Sequence, residues 1–279
     1  MYLTDFIYDG VMLSSLGYLV GSAVTSNNES ASAGSKLDLQ TVMNRGNNIN
    51  QIITAQYNET ITATFDIIKI SCNSEDKGIV EDSEISYIMR WLNRTTNYKF
   101  KPIYNDSTFP DVFFMGTFTE INTIQKGGNV IGFTITFVAN TPYGYADYED
   151  REFELNIPLG SDTISQVYYD ESDEYGIHYP ELFIVELYNP GDFELKNELS
   201  NKSTIVENCL SGEILTFDCI HRIITSSKAS LHPTLFKDFN YIFPSLCNTY
   251  ESKENIITVN TSCKINLTYK PIRKVGIVV

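Results

Sequence analysis

The chain has one tryptophan, three histidines and 20 basic side chains against 35 acidic ones. Each shortage excludes something. His178, His221 and His232 lie far apart in sequence. No H-E-x-x-H, G-x-S-x-G, phosphate-loop or G-x-G-x-x-G motif accompanies them. No catalytic set and no metal-ligand spacing is signalled. The formal charge of −15 argues against nucleic acid as a binding partner, because affinity for phosphate comes from clustered Lys and Arg. The five cysteines, Cys72, Cys209, Cys219, Cys247 and Cys263, are odd in number and include no C-x-x-C pair. They read as buried free thiols. No apolar run reaches the ~18 residues that membrane insertion needs. The apolar stretch 11–24 follows Asp5 and Asp9 rather than a basic segment, so it reads as strand and loop. Seven N-x-S/T sequons, from Asn28 to Asn266, read as a by-product of an Asn-rich sequence.

What remains is globular composition, 42% hydrophobic over 279 residues, enough for two domains. Residues 44–50, rich in Asn and Gly, read as a loop. Residues 60–70 alternate as a strand, with Ile61, Ala63, Phe65 and Ile67 on one face. One helix is predicted at 83–93, capped by Asp82 or Ser83, with Ile85, Ile88, Met89 and Leu92 as its apolar stripe. Residues 112–125 and 130–139 flank Lys126-Gly127-Gly128-Asn129, a hairpin signal with unusually long arms. Pro142 then ends the ladder, because proline lacks the donor. Gly144 and an acidic run follow, and the domain boundary falls there. The second half is nearly all strand: 153–157, 181–188, 214–224 and 255–269. The last run alternates apolar and polar residues throughout, as in an antiparallel sandwich. The predicted fold is therefore mainly β with one helix in its first half. The domains are 1–145 and 146–279.

Two local clusters invite chemistry. Cys219-Ile220-His221 would place thiol and imidazole on one strand face, and strand packing is the simpler reading. Asp170 to Glu174 could offer oxygen ligands to Ca²⁺, but its glycine falls one place late, at Gly176. It reads as a solvated acidic loop.

The order of certain short stretches is familiar. "YIMRWLN" (87–93) precedes "FKPIYND" (100–106), the long hairpin and "FTITFVANTPYGYA" (133–146). The end of the chain reads "FKDFNYIFPSLCNTYESKENIITVNTSCKINLTYKPIRKVG" (236–276). In this order they resemble the distal tail protein family of tailed bacteriophages, the siphovirus-type tail component. Ile272 separates Pro271 from Arg273, which are often adjacent in that family, and residues 175–230 match no named pattern.

The resemblance implies an N-terminal β-sandwich-like domain that closes into a hexameric ring, and a C-terminal galectin-like β-sandwich. The ring would join tail tube to tip hub at the virion tail tip, after assembly in the bacterial host cytoplasm. Its implied partners are copies of itself, the tail tube protein, the hub or tail-associated protein, the tape-measure protein and receptor-binding proteins. DNA would pass through the ring without sequence-specific binding. The resemblance implies no catalytic residue, cofactor, metal or membrane insertion. Carbohydrate binding at the host surface is the alternative function. Arg90, Trp91, Arg94, Thr117, Thr119, Lys126, Thr134 and Thr136 are the expected oligomer-interface residues. Pro142, Tyr143 and Gly144 form the expected interdomain junction. For Trp91 the alternative is that it widens the helix stripe into the core.

Overall fold

The structure is a computed structural model that describes residues 2–21, 34, 36–44, 46, 49–57, 59–70, 78–106 and 111–278. Cys72, Asn28, Asn58 and residues 22–24 of the apolar stretch lie outside these, as do 45, 47 and 48 of the expected loop. The chain forms two units, one of Met1–Ala146 with Arg273–Val279 and one of Asp147–Ile272. The second domain was expected to run to the C-terminus. Instead, the last residues return to the first unit, where Ile277 is buried in its core.

Unit 1 contains β1 (Leu3–Tyr8), β2 (Val11–Met12), β3 (Tyr18–Val20), β4 (Leu37–Asn44), β5 (Ile49–Tyr57), β6 (Thr62–Lys69), β7 (Tyr98–Tyr104), β8 (Phe114–Lys126), β9 (Asn129–Ala139) and helix α1 (Asp82–Leu92). Seven of these strands make one sheet in the order β2-β1-β7-β8-β9-β6-β3. Four strand spacings separate β1 from β6, about 19 Å in a flat sheet. Yet the rings of Phe6 and Phe65 meet at 5.7 Å. The sheet therefore folds over itself, and its enclosed face is an aromatic cluster of Phe6, Tyr8, Phe65, Phe100, Phe118 and Phe137.

Helix α1 covers this cluster. Glu81, one residue earlier than expected, is its N-cap, in a reciprocal capping box with Glu84. Ile88, Trp91 and Leu92 are buried, whereas Met89, expected in the stripe, is 37% exposed. At 100° per residue, replacing position 89 by 91 turns the centre of the buried face by only about 40°. The cause is Trp91, whose large ring packs on Phe6 and Tyr8.

Two glycines let neighbouring strands close up. A Cβ on Gly132 would fall on the Ile67 carbonyl oxygen of β6, and one on Gly116 on the Val138 carbonyl oxygen of β9. Gly132→Ala is expected to cost about 1–3 kcal/mol through overpacking, read by chemical denaturation. An unchanged midpoint would show that the strands can part at no cost.

Unit 2 contains β10 (Glu149–Leu155), β11 (Ile164–Tyr169), β12 (Gly176–His178), β13 (Leu182–Leu187), β14 (Gly191–Asn197), β15 (Lys202–Cys209), β16 (Ile214–Asp218), β17 (Ile223–Ser226), α2 (Leu235–Asp238), β18 (Leu246–Asn248), β19 (Glu254–Val259) and β20 (Cys263–Tyr269). A five-stranded sheet, β10-β20-β13-β16-β17, and a four-stranded sheet, β11-β19-β14-β15, share one core. Phe183, Phe217 and Leu267 from the first meet Phe193, Val206 and Ile257 from the second. This is a sandwich of two antiparallel sheets.

Two sequence readings are corrected here. The run 255–269 is not one strand. It turns at 260–262 and contributes β19 to one sheet and β20 to the other. Its alternation survives because both halves point their apolar residues into the shared core. Likewise 214–224 breaks into β16 and β17, and Cys219 and His221 lie in the turn between them, one buried and one exposed.

Candidate assembly interface

The long hairpin is present as read, turning at Gly127 and Gly128, whose φ of 59° and 83° suit glycine. Its consequence lies on the outside of β8. Only Phe114 to Gly116 pair with β7, at Tyr98 to Phe100. Residues 117–126 pair with β9 on one side and, among the described strands, with nothing on the other. This edge contains no proline, and its only charges are Glu120 and Lys126. Against another strand it is guarded only by these two charges and by one bulge, at Thr119.

The expected interface residues fall into three groups. Trp91 is not an exposed anchor. It is 4% exposed, its Nε1 donates to the Tyr8 carbonyl at 3.2 Å and its ring stacks on Phe6 at 5.9 Å. The alternative reading, that it joins the core, is what the structure contains. Arg94 is half-buried and finishes the helix. Its Nε donates to the Trp91 carbonyl at 3.0 Å, its guanidinium reaches Asp9 at 2.8 Å, and it lies 4.6 Å from the Tyr98 ring centroid. Arg90 is exposed on the same helix.

The hairpin threonines share a polar surface with β6. Thr136 meets Thr64 hydroxyl to hydroxyl at 3.0 Å, and Thr134 donates to Asp66 at 2.6 Å. Thr117 donates to the Arg94 carbonyl at 2.6 Å. Thr119 is exposed at the bulge where β8 carries an extra residue opposite β9, and Lys126 is exposed at the tip. These short hydroxyl side chains make a polar surface whose charges are Asp66 and Glu120. Of the junction residues, Pro142 and Tyr143 are half-buried. Gly144 is buried where a Cβ would strike Val112 and Phe114.

Sequence reasoning missed the second feature of unit 1, the hairpin β4–β5. The alternation of Leu37, Leu39, Thr41 and Met43 was the available signal. The Asn-rich loop reading of 44–50 drew attention away from it.

Unit 2 corrects the picture of isolated histidines and a solvated acidic loop. Asp170 and Ser172 are fully buried. Asp170 meets His178 at 2.7 Å, Tyr269 lies 3.2 Å from the same imidazole nitrogen, and Ser172 lies 2.6 Å from the Tyr269 hydroxyl. Burial alone would raise the Asp170 carboxyl, but hydrogen bonds from His178 and Ser172 hold it below the usual range. The cluster contains a Ser, a His and an Asp, but it is sealed from solvent. Ser172 Oγ also accepts the Ile272 N–H at 2.9 Å, so the group ties segments together. His232 is clamped between Glu213 at 2.9 Å and Asp238 at 3.1 Å through opposite ring nitrogens, so the three cannot converge on one ion. Among the described residues no group of three His, Cys, Asp or Glu gathers as metal ligands. Cys209, Cys219, Cys247 and Cys263 are free and buried, and burial pushes the thiols of Cys209, Cys219 and Cys263 up to about 12. No helix among the described residues is long and apolar enough to cross a membrane.

Comparison with known proteins identifies this arrangement. Residues 1–141 match a family described as the phage tail protein N-terminal domain, and residues 143–269 match the phage tail C-terminal domain. The chain belongs to this phage tail protein family. No curated protein matches it. Among solved structures, the tail protein is similar to the distal tail protein Dit of phage SPP1, described as a paradigm of the hub adsorption apparatus in phages infecting Gram-positive bacteria. The TM-score is 0.63 at 14% identity, over 96% of this chain and 99% of that one. It is also similar, at TM-score 0.45 and 10% identity, to a chain of the phage P2 baseplate in its activated, Ca-containing conformation, over 96% and 98% of the two chains. The tail protein thus has the mainly β, Dit-like fold, with both family domains present.

Proposed function

We propose that this tail protein is a structural ring component of the tail tip. Six copies close through unit 1, join the tail tube to the tip hub and give unit 2 as a platform for host-binding proteins. The observation that carries the reading is the ten-residue open edge of β8, 117–126, which has no partner among the described strands. An edge of this length with so little to guard it is a hazard in a free monomer and an asset in a closed ring, where each copy supplies the next strand. The polar Thr face of the hairpin suits a wet, weakly charged bore through which DNA slides. A basic bore would bind phosphate and hold it. The protein performs no chemistry in this role. The Ser172–His178–Asp170 grouping is buried, and burial holds the thiols of Cys209, Cys219 and Cys263 protonated.

The test is the mass of the purified chain by sedimentation, with images of the assembled particles. Closed rings of six copies, depending on the edge of β8, are the expected result. A chain that stays monomeric at micromolar concentration, alone and with its tail-tube partner, would overturn it.

A further inference from the structure

The hairpin β4–β5 forms a two-stranded sheet of its own, and both of its long edges are unpaired among the described residues. A lone two-stranded hairpin is marginal in water unless something covers its apolar face. The register defines that face. Leu37 opposes Tyr57, Leu39 opposes Ala55, Thr41 opposes Ile52 and Met43 opposes Asn50. The other face carries Asp38, Gln40, Val42, Gln51, Thr54 and Gln56, with Val42 its exposed apolar residue. Ile53 is the extra residue of a bulge between Gln40 and Thr41. The apolar face is bare. Leu37, Leu39, Met43 and Ile52 are 46–61% exposed, which leaves roughly 400 Å² of side chain uncovered, about half of what one partner contributes to a standard interface.

Unit 1 has a receiving surface that no described residue of this hairpin lines. Leu16, Tyr18, Tyr87 and Ile88 line an apolar groove of about 310 Å³ between α1 and β3, with Ser83 and Glu84 at its polar side. Leu19 and Met89 are exposed on the same two elements. The Tyr18 hydroxyl is buried and has no hydrogen-bond partner among the described residues. Glu84 is already engaged by Lys69 at 2.8 Å and by the Glu81 N–H at 2.8 Å.

We infer that the apolar face of β4–β5 seats in the α1–β3 groove of a second copy of this chain. Charge decides for a second copy. Each chain carries −15, so two copies repel wherever their acidic surfaces face. Residues 37–57 contain only Asp38 and Arg45, a net charge of zero, and the groove's single carboxylate is paired. These are places where a like-charged copy can approach at little cost. Hairpin and groove are different surfaces, so the contact is heterologous and passes from copy to copy around a closed assembly. The inference rests on the self-assembly reading above and names a contact in it separate from the edge of β8.

The test uses the full-length chain and four variants. In L39K/I52K and in Y87K the changed side chains are exposed, so the monomer is expected to melt as wild type does. Assembly by sedimentation is expected to weaken roughly ten-fold or more in each, the scale of losing a central interface contact. Mixing L39C with Y87C under mild oxidation is expected to give a disulfide-linked heterodimer. Wild-type assembly in both lysine variants would overturn the contact while leaving the ring reading standing. Cross-linking of L39C only to itself would overturn it in favour of a hairpin-to-hairpin contact. A wild-type chain that never assembles would overturn the ring reading and this contact together.

Discussion

Trp91→Ala is expected to cost unit 1 about 3–5 kcal/mol, the range for deleting a large aromatic from a core. The indole is 4% exposed and packed against Phe6 and Tyr8, with ring centroids 5.9 Å and 6.2 Å away. Removing it opens a cavity where the folded sheet meets α1, and Phe6 and Tyr8 have no other large ring to close over it from the helix side. The Tyr8 carbonyl also loses its indole donor. A domain has only about 5–15 kcal/mol in total, so this single change brings unit 1 close to unfolding. Far-UV circular dichroism in urea measures it. In the wild type, fluorescence of this sole tryptophan reports on unit 1 alone. Loss of ring assembly in the variant would then follow from unfolding. Trp91→Phe, which keeps the stacking, is expected to assemble. A loss below about 1 kcal/mol for Trp91→Ala would mean that the indole is not a core residue.

The tryptophan also shows what could be read from sequence. The helix was legible because its period and capping residues are local. Which of Met89 and Trp91 faces inward was not, because both lie within one residue of the stripe's border. The choice depends on the shape of a sheet built from residues 3–139. The hairpin at 127–128 was legible because two glycines between alternating arms specify a turn almost alone. The hairpin at 37–57 was missed although Leu37, Leu39 and Met43 alternate, because residues 44–50 between its arms are Asn-rich and read only as a loop. In unit 2 the alternation at 255–269 marked the inward face correctly and hid the corner at 260–262, where the chain changes sheets. Alternation is blind to such a change when both sheets face the same core. The histidines were least legible. His178 finds Asp170 eight residues away and His232 finds Glu213 nineteen residues away, and no spacing rule joins those pairs. The candidate interface follows the same logic. The threonines and the long arms could be read, but the open edge of β8 is a property of where β7 stops, which only the sheet reveals.

Glu213→Ala is expected to be the most damaging change in unit 2, at about 3–5 kcal/mol, the cost of removing one partner from a buried ion pair. Glu213 is fully buried. It accepts from the Leu210 N–H at 2.7 Å, from the Ser226 hydroxyl at 2.5 Å and meets His232 at 2.9 Å. Without it, His232 is left buried with Asp238 alone, and the segment 228–238 loses its tie to β16. The same clamp sets a pH dependence. Burial acts to lower the His232 pKa, but hydrogen bonds and charge from Glu213 and Asp238 outweigh it and leave it raised. A raised histidine contributes stability that is fully present below its unfolded value of about 6.5 and is lost as pH rises through the folded value. Burial likewise acts to raise Glu213, but bonds from Ser226, Leu210 and His232 leave it lowered. Asp238 is lowered first by Thr234 and then by His232. Lowered carboxylates contribute stability that is present above their ordinary values of about 4 and is lost as pH falls through the folded ones. The clamp therefore gives its full contribution between about pH 5 and 6.5, and unit 2 is expected to lose stability as pH rises above that window. His232→Asn is expected to be less stable at pH 6 and to show a flatter slope over the same interval, because the titrating group is gone. Urea melts of both proteins at pH 6, 7.5 and 9 measure the difference. Parallel slopes would show that His232 binds its proton equally well in the folded and unfolded chain, so that the clamp adds no pH dependence.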